Sequence, residues 1–293
     1  MGRTTIVLAE RIRAAADSFT PAERRIAHIL SSTNMLAGLE TILKLAQRAN
    51  VSGPTVLRFS TKLGFSGYAA FQTAISHDIE NRFTSPLDQF ARATAPQLNG
   101  LVKRAIDAFQ GGIERTLGRL DKPLLDKIAA LLSDKRRPVY LIGGRFTHHL
   151  AEMLWGHLYQ IRPRAHILRP GVVGIQDQLI EIGRRDVLVV FDVRRYQADT
   201  IELAERAKAR RAHIILFTDT WMSPIARVAN DVLTCDIDAP SPYDSLVPCL
   251  ALVETVIAAV TERAGEIGRE RIAEIEKIRH SPSAMSTRAE PGK

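Results

Sequence analysis

Residues Asn50 to Tyr68 read NVSGPTVLRFSTKLGFSGY, and the order of residue types in this stretch describes a short helix with marked ends. Ser52 is suited to an N-cap, and Pro54 falls in the first turn, where its missing N–H costs nothing because the first four amides of a helix have no intrahelical partner. Gly64 can take positive φ at C′, and Phe65 can fold back on the helix as the apolar contact of a Schellman-type stop. Between these ends Val56, Phe59 and Leu63 recur at i, i+3 and i+7 as a packing face. Thr55, Arg58 and Lys62 repeat the same spacing on the adjoining face. Just upstream, Ile42, Leu45, Ala46 and Ala49 stand at i, i+3, i+4 and i+7 and predict another short helix that stops near Asn50. Two short helices joined by a tight turn, the second basic on its outer face, match the geometry in which a recognition helix presents its N-terminal residues to major-groove base edges. An ordinary amphipathic helix with a solvated Arg58 and Lys62 fits the same spacing.

Working outward, helical periodicity holds from Ala9 to about Asn81. Thr20-Pro21-Ala22-Glu23 reads as a capping box, followed by Ile26, Ile29 and Leu30 as a core face. Residues 84–97, TSPLDQFARATAPQ, carry two prolines and no clear period, which marks a linker. Leu101, Ile106, Phe109, Ile113, Leu117 and Leu120 then predict one long amphipathic helix joining two halves of the chain.

From about Arg137 short apolar runs alternate with helix-length segments. The runs are Val139 to Ile142, Ala165 to Leu168, Val187 to Phe191, His213 to Phe217 and Val232 to Cys235. Parallel strands need long crossovers and end up buried, so five such runs imply a parallel sheet covered by helices on both faces. A strongly apolar final helix is expected from Leu246 to Arg263, and the tail after His280 is polar and expected to be disordered. The predicted fold class is therefore an all-helical helix-turn-helix domain over 4–80, then a linker and connecting helix over 81–126. A five-stranded parallel-sheet, three-layer α/β domain of flavodoxin-like type covers 127–270, and residues 280–293 form the tail.

The 293 residues exceed the usual size of one domain, and 45% apolar composition is that of an ordinary water-soluble chain. Forty Lys and Arg against 32 Asp and Glu give a formal charge of +8, which leans toward nucleic acid or anionic metabolites. Cys235 and Cys249 are the only cysteines and form no CxxC pair, so neither a disulfide framework nor a zinc site is indicated. No window reaches the about 20 apolar residues that a membrane span requires. A cytoplasmic protein without metal or cofactor is expected.

The segment from Thr41 to Gln72, TILKLAQRANVSGPTVLRFSTKLGFSGYAAFQ, resembles the DNA-binding domain of RpiR-family (MurR/RpiR) bacterial transcription regulators. It has Val51, Ser52, Thr55, Val56, Arg58, Phe59, Lys62, Leu63, Gly64, Phe65, Gly67 and Phe71 in the places of the family's VSxxTVxRFxxKLGFxGxxxF run. The resemblance implies binding to double-stranded operator DNA. Ser52, Thr55 and Arg58 are candidates for base edges and nearby phosphates, and Lys44 and Lys62 for the phosphate backbone.

Ligands of parallel α/β sheets sit at the C-terminal strand ends, which directs attention to the loops after Ile142, Phe191 and Phe217. Gly143, Gly144, Arg145 and Thr147 make a turn with close backbone approach and a helix N-terminus open to an anion. The C-terminal half resembles the SIS (sugar isomerase) domain that RpiR-family regulators carry as effector sensor, in this loop and in Thr218-Asp219 followed by Ser223-Pro224-Ile225-Ala226. The family's usual SxSGxT loop is replaced: Asp192 and Arg194 stand at the serines, Arg195 at the glycine and Gln197 at the threonine, with Tyr196 between. Two arginines beside a tyrosine suit a carboxylate or phosphate through bidentate bonds, so the effector site is expected to include Asp192, Arg194, Arg195, Tyr196, Thr218 and Ser223. Ion pairing of the arginines with the protein's own acids, or with a neighbouring subunit, is the alternative. His148, His149 and Glu152 follow the glycine loop and would be the bases of an isomerase, but the altered loop removes the usual phosphate anchor and favours a non-catalytic protein. The expected partners are operator DNA, a small anionic effector and further copies of the chain in a homodimer or homotetramer, with no membrane. Two other readings stay open here: a sugar-phosphate isomerase with an accessory helical domain, and a regulator whose SIS half is only a scaffold.

Overall fold

The computed structural model of the protein describes residues 8–33, 35–83, 87, 90, 100–169 and 171–280. Most of the expected linker and the tail from 281 to 293 lie outside the described residues.

The N-terminal region consists of α1 (Leu8–Ala14), α2 (Pro21–Ser32), α3 (Ile42–Arg48), α4 (Gly53–Lys62) and α5 (Tyr68–Phe83). The capping box at the start of α2 is formed in both directions, Glu23 N to Thr20 Oγ1 at 3.3 Å and Thr20 N to Glu23 Oε2 at 2.8 Å. Ile26, Leu30, Leu45, Val56, Phe59, Phe71 and Ile75 are buried together as one core. The face predicted from Val56, Phe59 and Leu63 is the one that packs.

Two helices follow, α6 (Leu101–Gly118) and α7 (Lys122–Ser133). The long helix expected over Leu101 to Leu120 is α6, which ends at Gly118. Asp121 Oδ1 accepts from Leu124 N at 2.6 Å and Pro123 enters the first turn, so a new N-terminus starts directly after Leu120.

The second core surrounds five parallel strands, β1 (Val139–Gly143), β2 (Ala165–Ile167), β3 (Val187–Phe191), β4 (His213–Asp219) and β5 (Asp231–Cys235), which lie on the predicted runs. Their order is β2-β1-β3-β4-β5. The strands are linked by α8 (His148–Ile161) and α9 (Ala198–Ala209), and the last helix is α10 (Val247–Arg279). Val189, Phe191, Ile215 and Phe217 point toward α7, α8 and α10, whereas Leu188, Val190, Ile214 and Leu216 meet α9 from the opposite face. This alternation with helices on both sides is the three-layer arrangement. α10 runs past the predicted end at Arg263, with a break at Gly265, whose φ is 52°.

Arg162 is the largest fully buried side chain, and its guanidinium is satisfied by backbone: Leu132 O at 2.9 Å, Pro163 O at 2.9 Å and Arg137 O. Burial lowers its pKa to about 10, which still leaves it charged near neutrality. No helix among the described residues is long and apolar enough to cross a membrane.

The strand order puts the topological switch between β1 and β3, because the chain goes from β1 out to β2 and then returns to the other side of β1. The crevice at that point, bounded by the loops after β1, β3 and β4, is where such sheets take ligands.

Candidate nucleic-acid and effector sites

Helix α4, the candidate for base reading, is fixed at both ends by backbone geometry. Asn50 closes α3 with φ 51°, and Val51 N bonds to Ala46 O at 2.9 Å. Arg25 of α2 donates to Ala49 O at 3.1 Å and Asn50 O at 3.2 Å, which holds the turn between the two helices. At the far end Gly64 takes φ 86°, Gly64 N bonds to Thr61 O and Phe65 N to Ser60 O, the paired bonds of a Schellman stop. Phe65 then packs edge-on against Phe71 at 5.5 Å.

Ser52 occupies the N-cap position, yet its hydroxyl makes no capping bond. It pairs instead with Thr55 Oγ1 at 2.8 Å, and Thr55 Oγ1 accepts from Arg58 Nη2 at 3.3 Å. Ser52, Thr55 and Arg58 thus form one hydrogen-bonded chain at the protein surface. Lys62 behaves differently. Its ammonium donates to Ser18 O at 2.6 Å and Glu23 Oε2 at 2.9 Å and lies over the Phe19 ring. Lys62 therefore ties α4 to the start of α2, where the sequence had suggested a phosphate contact. Burial alone would raise the Glu23 carboxyl, but the Thr20 amide and the Lys62 ammonium hold it below its ordinary value. Lys44 stays exposed on α3.

At the sheet, a side chain on Gly143 would collide with the Thr147 and His148 backbone at about 2.5 Å, so glycine is required there. Thr147 Oγ1 donates to Phe191 O and accepts from Gly144 N, both at 2.8 Å, sewing the β1 loop to the end of β3. Arg145 N donates to Gln197 Oε1 at 2.6 Å, and a Cβ on Gly144 would lie 2.4 Å from that same oxygen. The carboxamide of Gln197 thus occupies one amide of the turn that the sequence reading had offered to an anion. The Arg145 side chain is exposed.

The β3 loop is likewise engaged internally. Asp192 is buried, its Oδ2 accepting from Ser223 Oγ at 2.5 Å and its carbonyl from Thr218 Oγ1 at 2.7 Å. Burial raises its pKa to about 6, with the Ser223 hydroxyl opposing that rise. Tyr196 Oη donates to Asp219 Oδ1 at 2.9 Å, and Arg194 N to Asp219 Oδ2 at 2.6 Å. Arg194 and Arg195 both grip Asp244 on the loop after β5, Arg195 Nη2 at 2.9 Å from Oδ2. The Arg194 side chain keeps 6% of its surface in solvent and Asp244 13%, so this is a sheltered pair. Trp221 lies beside Arg194, and its buried Nε1 has no hydrogen-bond partner among the described residues.

Of the predicted effector residues, the structure brings together those on the loops after β1, β3 and β4. Gln197, Asp219 and Asp244 complete the cluster. Asp244 was missed because nothing in the local sequence announces which acid pairs with an arginine 50 residues away. His148 Nε2 lies 3.1 Å from Glu152 Oε1, and that carboxylate also takes Arg169 at 2.6 Å. Among the described residues no group of His, Cys, Asp and Glu is arranged to hold a metal ion.

A family model for the helix-turn-helix domain of the rpiR family matches residues 6–82, and one for the SIS domain matches residues 131–259. An rpiR-type helix-turn-helix domain is thus joined to a SIS domain in one chain. The HTH-type transcriptional regulator HexR of Pseudomonas aeruginosa is 23% identical over 265 residues, 88% of this chain and 90% of its own length. The bifunctional protein glk of Paraburkholderia xenovorans is 25% identical over 280 residues, and there the match spans only 43% of the relative. Two solved structures superpose: the sugar isomerase domain of an RpiR transcription factor from Sphaerobacter thermophilus, and the Vibrio vulnificus NanR protein complexed with ManNAc-6P. The first has a TM-score of 0.56 at 21% identity and covers 61% of this chain and 99% of that one. The second has a TM-score of 0.51 at 18% identity and covers 93% of this chain and 98% of that one.

Proposed function

We propose that this chain is an RpiR-family transcriptional regulator that binds double-stranded operator DNA through α4 and senses a small anionic metabolite, a sugar phosphate or a carboxylate, at its SIS domain. The observation that carries the DNA-binding half is the Ser52–Thr55–Arg58 chain. It presents a guanidinium, already oriented by a hydroxyl, on a short helix whose both ends are locked. Such preorganisation suits bidentate recognition of a guanine edge, with the neighbouring hydroxyls close to phosphate. Lys44, exposed on α3, is a cation suited to a phosphate contact. One short helix reads few bases, so a homodimer or homotetramer binding half-sites about 34 Å apart fits the fold. The exposed Leu101, Val102 and Ile106 of α6 offer an apolar face for that contact.

The sensor reading is supported by the carboxylate already seated on the arginine pair. Asp244 is the protein's own stand-in for an anionic ligand, and an effector acts by competing with it. The loop that carries Asp244 is held at its other end by Arg115 of α6, which pairs with Asp236 and with Asp238 at 3.1 Å, while Asp236 N donates to Thr116 Oγ1 at 2.9 Å. Displacing Asp244 would therefore be felt on α6, which lies between the DNA-binding region and the sheet in sequence. An effector that prefers the displaced state shifts the population toward it, which is what regulation requires. Catalysis is not part of this reading, because Glu152, on the helix that follows the glycine loop, is shared between His148 and Arg169 and is not poised as a base.

The deciding experiment is footprinting on the region upstream of the protein's own gene, with Arg58→Ala beside the wild type. Arg58→Ala is expected to lose about 10- to 100-fold on the protected site, the value of one bidentate base contact, and far less on random DNA. Equal losses on both would remove Arg58 from base reading, and no protection by the wild type would remove the regulator assignment.

A further inference from the structure

The outward stripe of α4 holds an apolar side chain that a charge-based reading passes over. Pro54, Leu57, Arg58 and Thr61 fall at i, i+3, i+4 and i+7, and all four are exposed, while Val56 and Phe59 behind them are fully buried. Leu57 keeps 44% of its surface in solvent and takes no part in the helical core. The hydroxyls of Ser60 and Thr61 both turn back to the Leu57 carbonyl, at 2.8 and 3.1 Å. The Thr61 proton is therefore used within the helix, and next to the Arg58 guanidinium the stripe offers chiefly apolar surface.

A lone exposed leucine is ordinary. Its position here is what gives it meaning, directly beside the side chain oriented to read a base. In the major groove every base edge carries polar atoms, and the one apolar group is the 5-methyl of thymine. We infer that Leu57 is a specificity-determining residue that packs on a thymine methyl next to the base pair read by Arg58. This rests on the DNA-binding reading above and adds to it a defined base feature.

The test uses the full chain and an operator selected by it from genomic fragments. Each thymine is replaced in turn by deoxyuridine, which removes only the methyl, and affinity is read by fluorescence anisotropy at fixed salt. At one position per half-site the wild type should weaken about three- to five-fold, the value of burying one methyl-sized group. Leu57→Ala should show a similar loss on the thymine operator and no further loss with deoxyuridine at that position, the non-additivity of two partners in one contact. Circular dichroism of Leu57→Ala should match the wild type, since the side chain supports no core. Deoxyuridine effects that persist unchanged in Leu57→Ala would overturn the inference. So would a Leu57→Ala variant that binds like the wild type, or one whose defect is a change of sedimentation, which would make Leu57 a contact between copies. Selection of no operator at all would instead overturn the regulator reading, and this inference with it.

Discussion

Helix α4 and the loops at the C-terminal end of the sheet use similar side chains in opposite ways. At α4 an arginine and two hydroxyls bond to one another at the surface and face outward. Around β3 the arginines, acids and hydroxyls bond to the protein's own groups and are largely buried. A surface meant for a rigid duplex gains from being set in advance, because ordering side chains on binding costs affinity. A sensor has the opposite need: it must rest in one state with its charges satisfied and leave it only when a ligand offers something better.

The sharpest way to break this contrast is Asp244→Ala. Removing one partner of a sheltered ion pair leaves the other charge uncompensated, which costs about 3 to 5 kcal/mol for buried pairs. With Arg195 still about a third exposed, the loss should sit near about 3 kcal/mol in anion-free buffer. Citrate or inorganic phosphate should then restore the melting temperature of Asp244→Ala far more than they raise that of the wild type, because the arginines are open to them. If neither anion rescues the variant, the arginine pair is a structural clamp with no affinity for ligands.

Asp192 tests the same idea through pH, with a somewhat smaller effect. Its folded pKa of about 6 lies above the ordinary carboxylate value, so its contribution to stability is complete below about pH 4 and is lost as pH rises through about 6. The rise corresponds to about 2 to 3 kcal/mol. Asp192→Asn should therefore melt higher than the wild type above pH 6, and the two should converge near pH 4. Thermal melts across that range decide it, and parallel curves would mean that the buried carboxylate meets no penalty for ionising.

How far the sequence alone could reach differs between the two regions for a physical reason. The start of α2 and the ends of α3 and α4 were legible, since Thr20 with Glu23, Asn50 and Gly64 act on backbone within a few residues, whereas the Ser52 hydroxyl turned to Thr55 without capping. The five strands were legible because parallel strands buried on both faces are written as continuous apolar runs. The start of α7 was written too, in Asp121 and Pro123 directly after Leu120. What stayed illegible was pairing across long separations. Arg194 with Asp244, Arg145 N with Gln197 and Lys62 with Glu23 each join residues 39 to 52 apart, and local spacing contains no term for them. Lys62 is the instructive case, because helical spacing placed it correctly next to the Arg58 face yet could not reveal an acid waiting on another helix.

That case gives the smallest predicted effect and the most direct check on how α4 is read. If Lys62 belongs to the protein body, Lys62→Met should lower stability by about 0.5 to 1 kcal/mol, the scale of a partly exposed ion pair. Because Glu23 is held below its ordinary pKa partly by Lys62, that loss should be present at neutral pH and fade as pH falls through the carboxylate range. Its DNA affinity should keep the wild-type dependence on salt. Lys44→Ala should do the reverse, leaving the melting temperature unchanged while lowering the slope of log affinity against log salt by about 1, as expected when one phosphate contact is removed. A reduced salt slope in Lys62→Met would show that the ammonium leaves Glu23 when DNA arrives, and would return Lys62 to the outward-facing set.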